Sequence, residues 1–368
     1  MKKILLLSVS FGEGHNAAAR GIRDAVARVA PDAEVELHDL FAETYTRLNE
    51  LTRQAYLKVI NCWPRSWGHF YRWLDSKTDF DERFRRFSRL KKNLAALLER
   101  FQPNVVISTF PPYPYFVRQI SGPNKLCKSI VVVTDSITVN AIWYRCIADY
   151  FLLPNEQSAA VVRAGGVAAE KIKVFGFPVS PNFADLALCQ SPRSSKLQRR
   201  VLYVITAGTR TAPELVNRLL DLDVRLTVAV GRNEKLRKSI DSMLRTRNPR
   251  PEYDGRIKIL GWTDDMPHLL CTSDVLIGKA GGATVQETIA AGCPMIINHV
   301  VSGQEEGNAS LIAETNSGVI ASTPAEVVAQ VQRAFANDAR QWREWAANIR
   351  KMSRPRASLD IAEFVMSL

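Results

Sequence analysis

The sequence predicts an α/β protein with two Rossmann-like, doubly wound domains and an interdomain cleft. Three observations carry that prediction. Short apolar runs of strand length alternate along the chain with segments of helical periodicity. The alternation runs twice, interrupted by one polar, basic stretch at 185–200. Small-residue loops follow key strands of both series, where an open α/β sheet places its ligands. At 368 residues, 46% of them hydrophobic and 23% charged, the chain is long and apolar enough for two ordinary cores.

The elements follow in order. MKKILLLSV reads as a buried first strand. It imitates a signal peptide, but the apolar run is short, Gly12, Glu13 and His15 cut it off, and no small-residue cleavage site follows. SFGEGHNAAARG (10–21) then opens a helix whose apolar residues fall at Ile22, Val26 and Val29, the i, i+4, i+7 spacing of an amphipathic face. VELHDL is the second strand, and residues 42–100 read as helical, with breaks at Pro64 and near Thr78. NVVIST (104–109), SIVVVTD (129–135), YFLLPN (150–155) and KIKVFGFP complete a first domain over 1–184. DLALCQSPRSSKLQRR (185–200) has the composition of a linker. VLYVIT (201–206), LTVAVG, a helix ending near Arg247, IKILGW, VLIGKAGG and PMIINHV build a second domain over 201–350. A helix within 351–368 has no strand after it and is free to cross back onto the first domain.

Composition narrows the function. No stretch of eighteen apolar residues occurs, so no helical span of a bilayer is predicted. The six cysteines (62, 127, 146, 189, 271, 293) show no CxxC and no histidine at metal spacing, which reads as reduced cytosolic thiols and no metal site. The net charge of +12 is uneven: residues 45–100 hold thirteen Lys/Arg against six Asp/Glu. Trp63, Arg65, Trp67, Arg72 and Trp73 fall in this segment, beside Phe70 and Tyr71. Basic and amphipathic aromatic residues together fit a surface that lies on anionic lipid. Single-stranded nucleic acid and a plain helical hairpin with aromatic core residues are the alternatives.

Two loops carry chemistry. In VLIGKAGGATVQETIAAGCPMIIN (275–298) a strand ends at Gly278 and a helix is predicted from Ala283 or Thr284. Backbone N–H groups at such a helix start, with Gly281 and Gly282 permitting close approach, form a phosphate cradle. Thr284 adds a hydroxyl, and Glu287, one turn on, can accept from ribose hydroxyls. The Walker pattern is absent, and the bland alternative is a tight turn with a carboxylate on the helix dipole. GWTDDMPHLLCTSD (261–274) supplies a turn beside that cradle. HVVSGQEEGNASLI places Gln304, Glu305 and Asn308 at a helix entry, where amide and carboxylate suit sugar hydroxyls; a simple polar helix start is the alternative. At the other end, Gly12-x-Gly14-x-x-Ala17 with Asp39 fits a dinucleotide fingerprint, but leaves His15 unexplained.

GKAGGATVQETIAAGCPMII with VSGQEEGNA resembles the C-terminal signature of the MurG-like glycosyltransferases. SFGEGHNAAARGI resembles the N-terminal motif of their monogalactosyldiacylglycerol synthase and bacterial diacylglycerol glucosyltransferase branch. VVTDSITVNAIW (132–143), LLPNE (152–156) and KVFGFPVSPNF (173–183) agree, so the resemblance runs from Met1 to about Ile320. It implies a GT-B fold and inverting, metal-independent transfer of a hexose, galactose before glucose, from UDP-hexose to diacylglycerol. The UDP-sugar is then a substrate, and no cofactor is called for. The resemblance also puts the pyrophosphate on Gly281, Gly282, Ala283 and Thr284, the ribose on Glu287, and the uracil by Gly261, Trp262, Thr263 and Met266. It gives the sugar to Gln304 and Glu305, with Asn308 beside them. His15 takes the place of the histidine in the family's GxGH motif, within an acceptor or phosphate loop that includes Gly12 and Gly14.

A lipid hydroxyl needs a base as the glycosidic bond forms, and leaving UDP needs its charge met. His15 is the candidate base, held neutral by the helix start after it, and Asp135 is either the rival base or the orienting partner. Lys279 is read as a cation near the diphosphate or as plain surface. Relatives carry a glycine-rich loop where this chain has ITAGTRTAPE, with Gly208 alone and Arg210 as a phosphate-facing charge. The expected setting is cytoplasmic, peripheral on the inner face of the cell membrane, with anionic lipids as partners and no nucleic acid. The alternatives are another lipid-linked or soluble acceptor, and a non-catalytic nucleotide-binding module.

Overall fold

Strand β1 (Lys3–Leu7) shows how the first sheet is built. Ile4 and Leu6 point to one face and pack with Ile22, Ala25 and Val26, while Leu5 and Leu7 point to the other and pack with Leu90, Leu94, Tyr113 and Phe116. A strand covered on both faces reads as a continuous apolar run, which is why KILLL lacks polar alternation. Each of the fully buried Leu, Ile, Val and Phe side chains among them contributes roughly 1.5–3 kcal/mol.

The computed structural model describes residues 1–10, 13–45, 80–122, 127–137, 139–187, 198–246, 255–301 and 305–368. Gly12, Trp63, Arg65, Trp67, Arg72, Trp73 and Gln304 lie outside these residues. Six parallel strands form the first sheet: β1, β2 (Glu34–His38), β3 (Val105–Ser108), β4 (Lys128–Val132), β5 (Tyr150–Leu153) and β6 (Ile172–Val174), in the order β2-β1-β3-β4-β5-β6. The second sheet holds β7 (Arg199–Val204), β8 (Val224–Ala229), β9 (Ile257–Leu260), β10 (Val275–Lys279), β11 (Met295–His299) and β12 (Gly318–Ile320), in the order β12-β11-β10-β7-β8-β9 and again all parallel. In each sheet the winding reverses next to the first strand, between β1 and β3 and between β7 and β10. Such switch points open a crevice at the carboxyl ends of the strands.

The chain divides into two units. The first comprises Met1–Pro181, Val301–Gly307 and Arg356–Leu368; the second comprises Asn182–Val300 and Asn308–Pro355. Residues 301–307, expected within the second domain, therefore group with the first. The helix Asn182–Ala187 and strand β7, which starts at Arg199, each take residues from the segment read as linker.

Within the first unit, the helix Ala357–Ser367 lays Ile361, Ala362 and Val365 against the helix Glu13–Val29. Lys2 donates from Nζ to the carbonyls of Val365 (2.8 Å) and Met366 (3.1 Å), satisfying acceptors that a helix end leaves open. Gly21 makes a second close contact possible: a Cβ there would stand 2.1 Å from the carbonyl oxygen of Pro178. Of the predicted 42–100 helical region, the described parts form Leu40–Thr44, Phe80–Phe84 and Ser88–Phe101.

Several elements go unread in the sequence: PPYPYF, a proline-rich loop by composition, lies largely in the helix Tyr113–Ser121, and the helices Glu156–Ala164 and Ala212–Leu219 are likewise not predicted. Strand β12 is three residues long, too short for a periodic signal. The helical stretch Pro324–Met352 begins with a capping box of Thr323 and Glu326 around Pro324, and kinks where Asn337, Asp338 and Ala339 take positive φ.

Candidate functional site

The loop after β1 is built from side chains that fasten its backbone. Ser8 donates from Oγ to Asn16 Oδ1 (2.7 Å), and Asn16 donates from Nδ2 to Ser10 Oγ (3.1 Å). The Tyr113 hydroxyl donates to the Ser8 carbonyl at 2.9 Å. Asp39 accepts from the backbone N–H of Ser10 (2.8 Å) and of Ala42 (3.0 Å), so it caps the Leu40–Thr44 helix and ties down the loop. That structural work replaces the ribose-binding role of the dinucleotide reading.

His15 lies in the first turn of the Glu13–Val29 helix, next to Gly14. Its Nδ1 is 3.1 Å from Thr134 Oγ1. The ring meets Phe110 edge-on, with centroids 5.4 Å apart, and Trp143 at 5.9 Å. Burial lowers its pKa from 6.5 to about 4, against the backbone of Thr109, which favours the protonated form. The imidazole is thus neutral at pH 7. Burial is the cause, where the sequence pointed to the helix start.

Asp135 is half-buried, and its Oδ2 accepts from Trp143 Nε1 at 2.8 Å. The loop carrying Thr134 and Asp135 is fastened from behind. Asn155 donates to the Ser136 carbonyl (2.6 Å) and caps the Glu156–Ala164 helix by accepting from Ser158 N (2.8 Å). Ser158 Oγ reaches the same carbonyl at 2.6 Å. LLPNE therefore has a plain physical job, to hold the loop that faces His15.

The second unit's loop works through its backbone. Gly281 is the N-cap of the helix Gly282–Ala290, one residue earlier than the sequence predicts, and no side chain caps it. The N–H groups of Gly282, Ala283 and Thr284 lie in the first turn, where they have no intrahelical acceptor. Val285 N closes the first helical bond on the Gly281 carbonyl at 2.9 Å. Asn308, buried in the Glu306–Glu314 helix, donates from Nδ2 to the Ala280 carbonyl at 3.1 Å and so braces the cradle. Its amide nitrogen therefore serves the loop that precedes the helix start. Glu287 sits half-buried in the second turn.

Around this loop, Lys279 ends β10 in register with His299 of β11, and Arg210 is exposed after β7. Gly208 takes φ +65 in that β7 loop, and Thr211 Oγ1 donates to its carbonyl at 3.1 Å. Gly261 leads out of β9, Thr263 Oγ1 accepts from Asp265 N (3.1 Å), and Met266 starts the helix Met266–Thr272. Trp262 stands 61% exposed with the Arg232 guanidinium 4.5 Å from its ring centroid. Glu305, in the segment grouped with the first unit, is buried and accepts from Val301 N at 3.0 Å through Oε2. Among the described residues, no group of three or more His, Cys, Asp or Glu side chains is placed to hold a metal ion.

Two family models match in tandem: the monogalactosyldiacylglycerol (MGDG) synthase model at residues 15–179 and the glycosyltransferase family 28 C-terminal domain at 202–358. The chain belongs to the MGDG-synthase branch of the family 28 glycosyltransferases. This glycosyltransferase is 26% identical over 391 residues to the chloroplastic monogalactosyldiacylglycerol synthase 3 of Arabidopsis thaliana, covering 100% of this chain and 82% of the relative. It is 24% identical over 350 residues to the processive diacylglycerol beta-glucosyltransferase of Bacillus subtilis (strain 168), covering 92% and 88%. Among solved structures, Acinetobacter baumannii MurG matches over the whole of both chains at 13% identity and TM-score 0.62. Anabaena Alr3699/HepE in complex with UDP-glucose matches likewise at 13% and 0.51. At these identities the structures establish the fold, which is GT-B.

The glycosyltransferase gathers its predicted residues into separate groups. His15 and Asp135 share one end of the first sheet, with Trp143 between them as the ring touching one and the indole binding the other. Gly281 to Glu287 and Lys279 share one strand–helix junction of the second sheet, and Gly261 to Met266 follow its strand β9. The sequence reading missed Thr134, Phe110, Trp143 and Arg232. Thr134 directly precedes the chosen Asp135, and neighbours on extended chain face opposite ways, which was the available signal.

Proposed function

We propose that this glycosyltransferase is an inverting enzyme that moves a hexose, galactose in preference to glucose, from a UDP-sugar to diacylglycerol at a membrane surface. The carrying observation is the neutral, aromatic-packed imidazole of His15 at the first sheet's switch point. A proton acceptor is what a lipid hydroxyl lacks. The printed activities of the Arabidopsis and Bacillus relatives support diacylglycerol as acceptor, and the UDP-glucose complex of Alr3699/HepE supports the donor class.

In this reading the acceptor oxygen attacks the anomeric carbon from the side opposite the leaving UDP, and its proton passes to the imidazole. Attack itself makes that oxygen acidic, so a weak base suffices if it is wholly unprotonated beforehand. The bond to the diphosphate oxygen breaks as the new one forms. The charge gathering on UDP is met by the N–H groups of Gly282, Ala283 and Thr284, with Lys279 and Arg210 as cations. No metal enters the proposal, because these dipoles and cations perform the neutralisation. Glu287 takes the ribose hydroxyls, the exposed face of Trp262 takes the base, and Gln304 with Glu305 takes the hexose. Membrane attachment rests on the basic and aromatic composition of residues 45–100; no described helix is long and apolar enough to cross a membrane.

The test is a donor screen. Purified protein is incubated with vesicles containing diacylglycerol and labelled UDP-galactose, UDP-glucose or UDP-GlcNAc, with and without EDTA. Labelled β-glycosyl lipid, unaffected by EDTA and greatest with UDP-galactose, is the expected outcome. Absence of labelled lipid with every donor would sink the reading.

A further inference from the structure

The neutral imidazole of His15 has one N–H and one lone pair, and a base must aim the lone pair at its substrate. Something has to decide which nitrogen carries the proton. In triads of the serine-protease type a carboxylate does so, and it also stabilises the imidazolium. Here Asp135 Oδ2 is bound to the indole of Trp143 at 2.8 Å. The side chain at hydrogen-bond distance from the ring is the hydroxyl of Thr134, 3.1 Å from Nδ1.

We infer that Thr134 is the positioning residue for the catalytic base: it accepts the Nδ1–H of His15 at Oγ1 and leaves the Nε2 lone pair to take the acceptor's proton. This rests on the base role given to His15 above, and deepens it to the level of one nitrogen.

Four features support it. Thr134 is buried, so its hydroxyl is not shared with bulk water. Its backbone position is fixed on both sides, by Val133 N donating to the Leu152 carbonyl (3.0 Å) and by Asn155 and Ser158 gripping the Ser136 carbonyl. A β-branched side chain has few χ1 choices, so a fixed backbone fixes the oxygen. Phe110 and Trp143 press on the ring and resist the flip that would exchange its nitrogens. Among the described residues, the groups facing the imidazole are thus one hydroxyl, two aromatic rings and the Thr109 backbone, which accepts from the ring and favours its protonated form. The nearby carboxylates are engaged: Asp135 with Trp143, and Glu13, on the same helix, with Arg20. A neutral partner orients the ring without making it a stronger base, consistent with the lowered pKa.

The experiment compares Thr134→Val, which removes the hydroxyl at nearly constant shape, with Thr134→Ser, which keeps it. The expected results for Thr134→Val are a fall in kcat of roughly 10–100-fold and unchanged affinity for UDP. Thr134→Ser should recover to within a few-fold, and adding Thr134→Val to His15→Ala should cost nothing further. Nitrogen NMR of histidine-labelled protein reads the tautomer directly, with the His15 signals assigned by their loss in His15→Ala among the five histidines. Protonation at Nδ1 in the wild type, mixed or reversed in Thr134→Val, supports the inference. A wild-type Nε2–H tautomer, or full activity in a folded Thr134→Val, overturns it. The wild-type NMR arm needs no substrate and no folded Thr134→Val, so it decides the tautomer even if diacylglycerol proves not to be the acceptor.

Discussion

In the proposed function the two switch points of this molecule solve different problems with different materials. At the first, between β1 and β3, the working group is a side chain, and other side chains enclose it: Phe110, Thr134 and Trp143 around His15. At the second, between β7 and β10, the working group is the backbone of a helix start capped by glycine and braced by Asn308. A proton acceptor needs a titrating atom whose surroundings set its basicity. A diphosphate needs a row of N–H dipoles with nothing in front of them. The first kind of site fails when atoms are removed, the second when atoms are added.

The sharpest test of that contrast is His15→Ala. Its kcat should fall by about 10²–10⁴-fold while the calorimetric affinity for UDP stays unchanged. A loss of UDP affinity instead would mean that His15 belongs to the donor site, and the contrast would break.

The acid side of the pH profile comes next in size. With a His15 pKa of about 4, kcat/KM should hold through mildly acidic conditions and fall only as pH approaches 4. An unperturbed histidine near 6.5 would already lose about thirty-fold by pH 5. The same shift bears on stability. Between about 6.5 and 4 the unfolded chain binds a proton that the folded chain refuses, so this group's contribution is complete above 6.5 and declines as pH falls. Urea midpoints at pH 7 and pH 5, compared for wild type and His15→Ala, isolate it; a smaller drop in the variant is expected.

Gly282→Ala probes the opposite behaviour. Among the described residues a Cβ there meets only Asn308 Nδ2, at 3.8 Å, so the fold accommodates it. The methyl group stands where phosphate must approach, and UDP affinity should weaken roughly tenfold at unchanged thermal stability. Equal affinity would show that the backbone is not the cradle. Smaller again, Trp262→Ala should weaken UDP binding about fivefold, read by titration calorimetry, through loss of a stacking face. Arg232→Ala should do so by about half that factor, since it only supports the ring from the other side.

The same contrast explains what could be read in the sequence. The strand–helix junction proposed as the cradle was legible because it is local: a strand, two glycines and a helix lie within one run, 275–290. The start was misplaced by only one residue, because Gly281 caps the helix without a side-chain signal. His15 itself was legible as an oddity after Gly14. Its setting was not, because Phe110, Thr134 and Trp143 come from three other segments and meet only in the folded sheet. Asp39 and Asn308 are ambiguous in sequence for one reason: polar residues beside a ligand loop look alike whether they bind the ligand or brace the loop, and both brace a loop here. Strand pattern gave both sheets, apart from β12, whose three residues follow a buried Ser317 and begin with Gly318, where a Cβ would stand 1.8 Å from the Met295 carbonyl oxygen.

The first unit is assembled from distant stretches of chain, and this orders its birth. Ile361, Ala362 and Val365 are part of the core behind the helix that carries His15. A ribosome has therefore finished every residue of the second unit, which extends to Pro355, before the first can close its hydrophobic interior. The half that is translated earliest matures last, and until it does the imidazole rides on a helix with one flank bare.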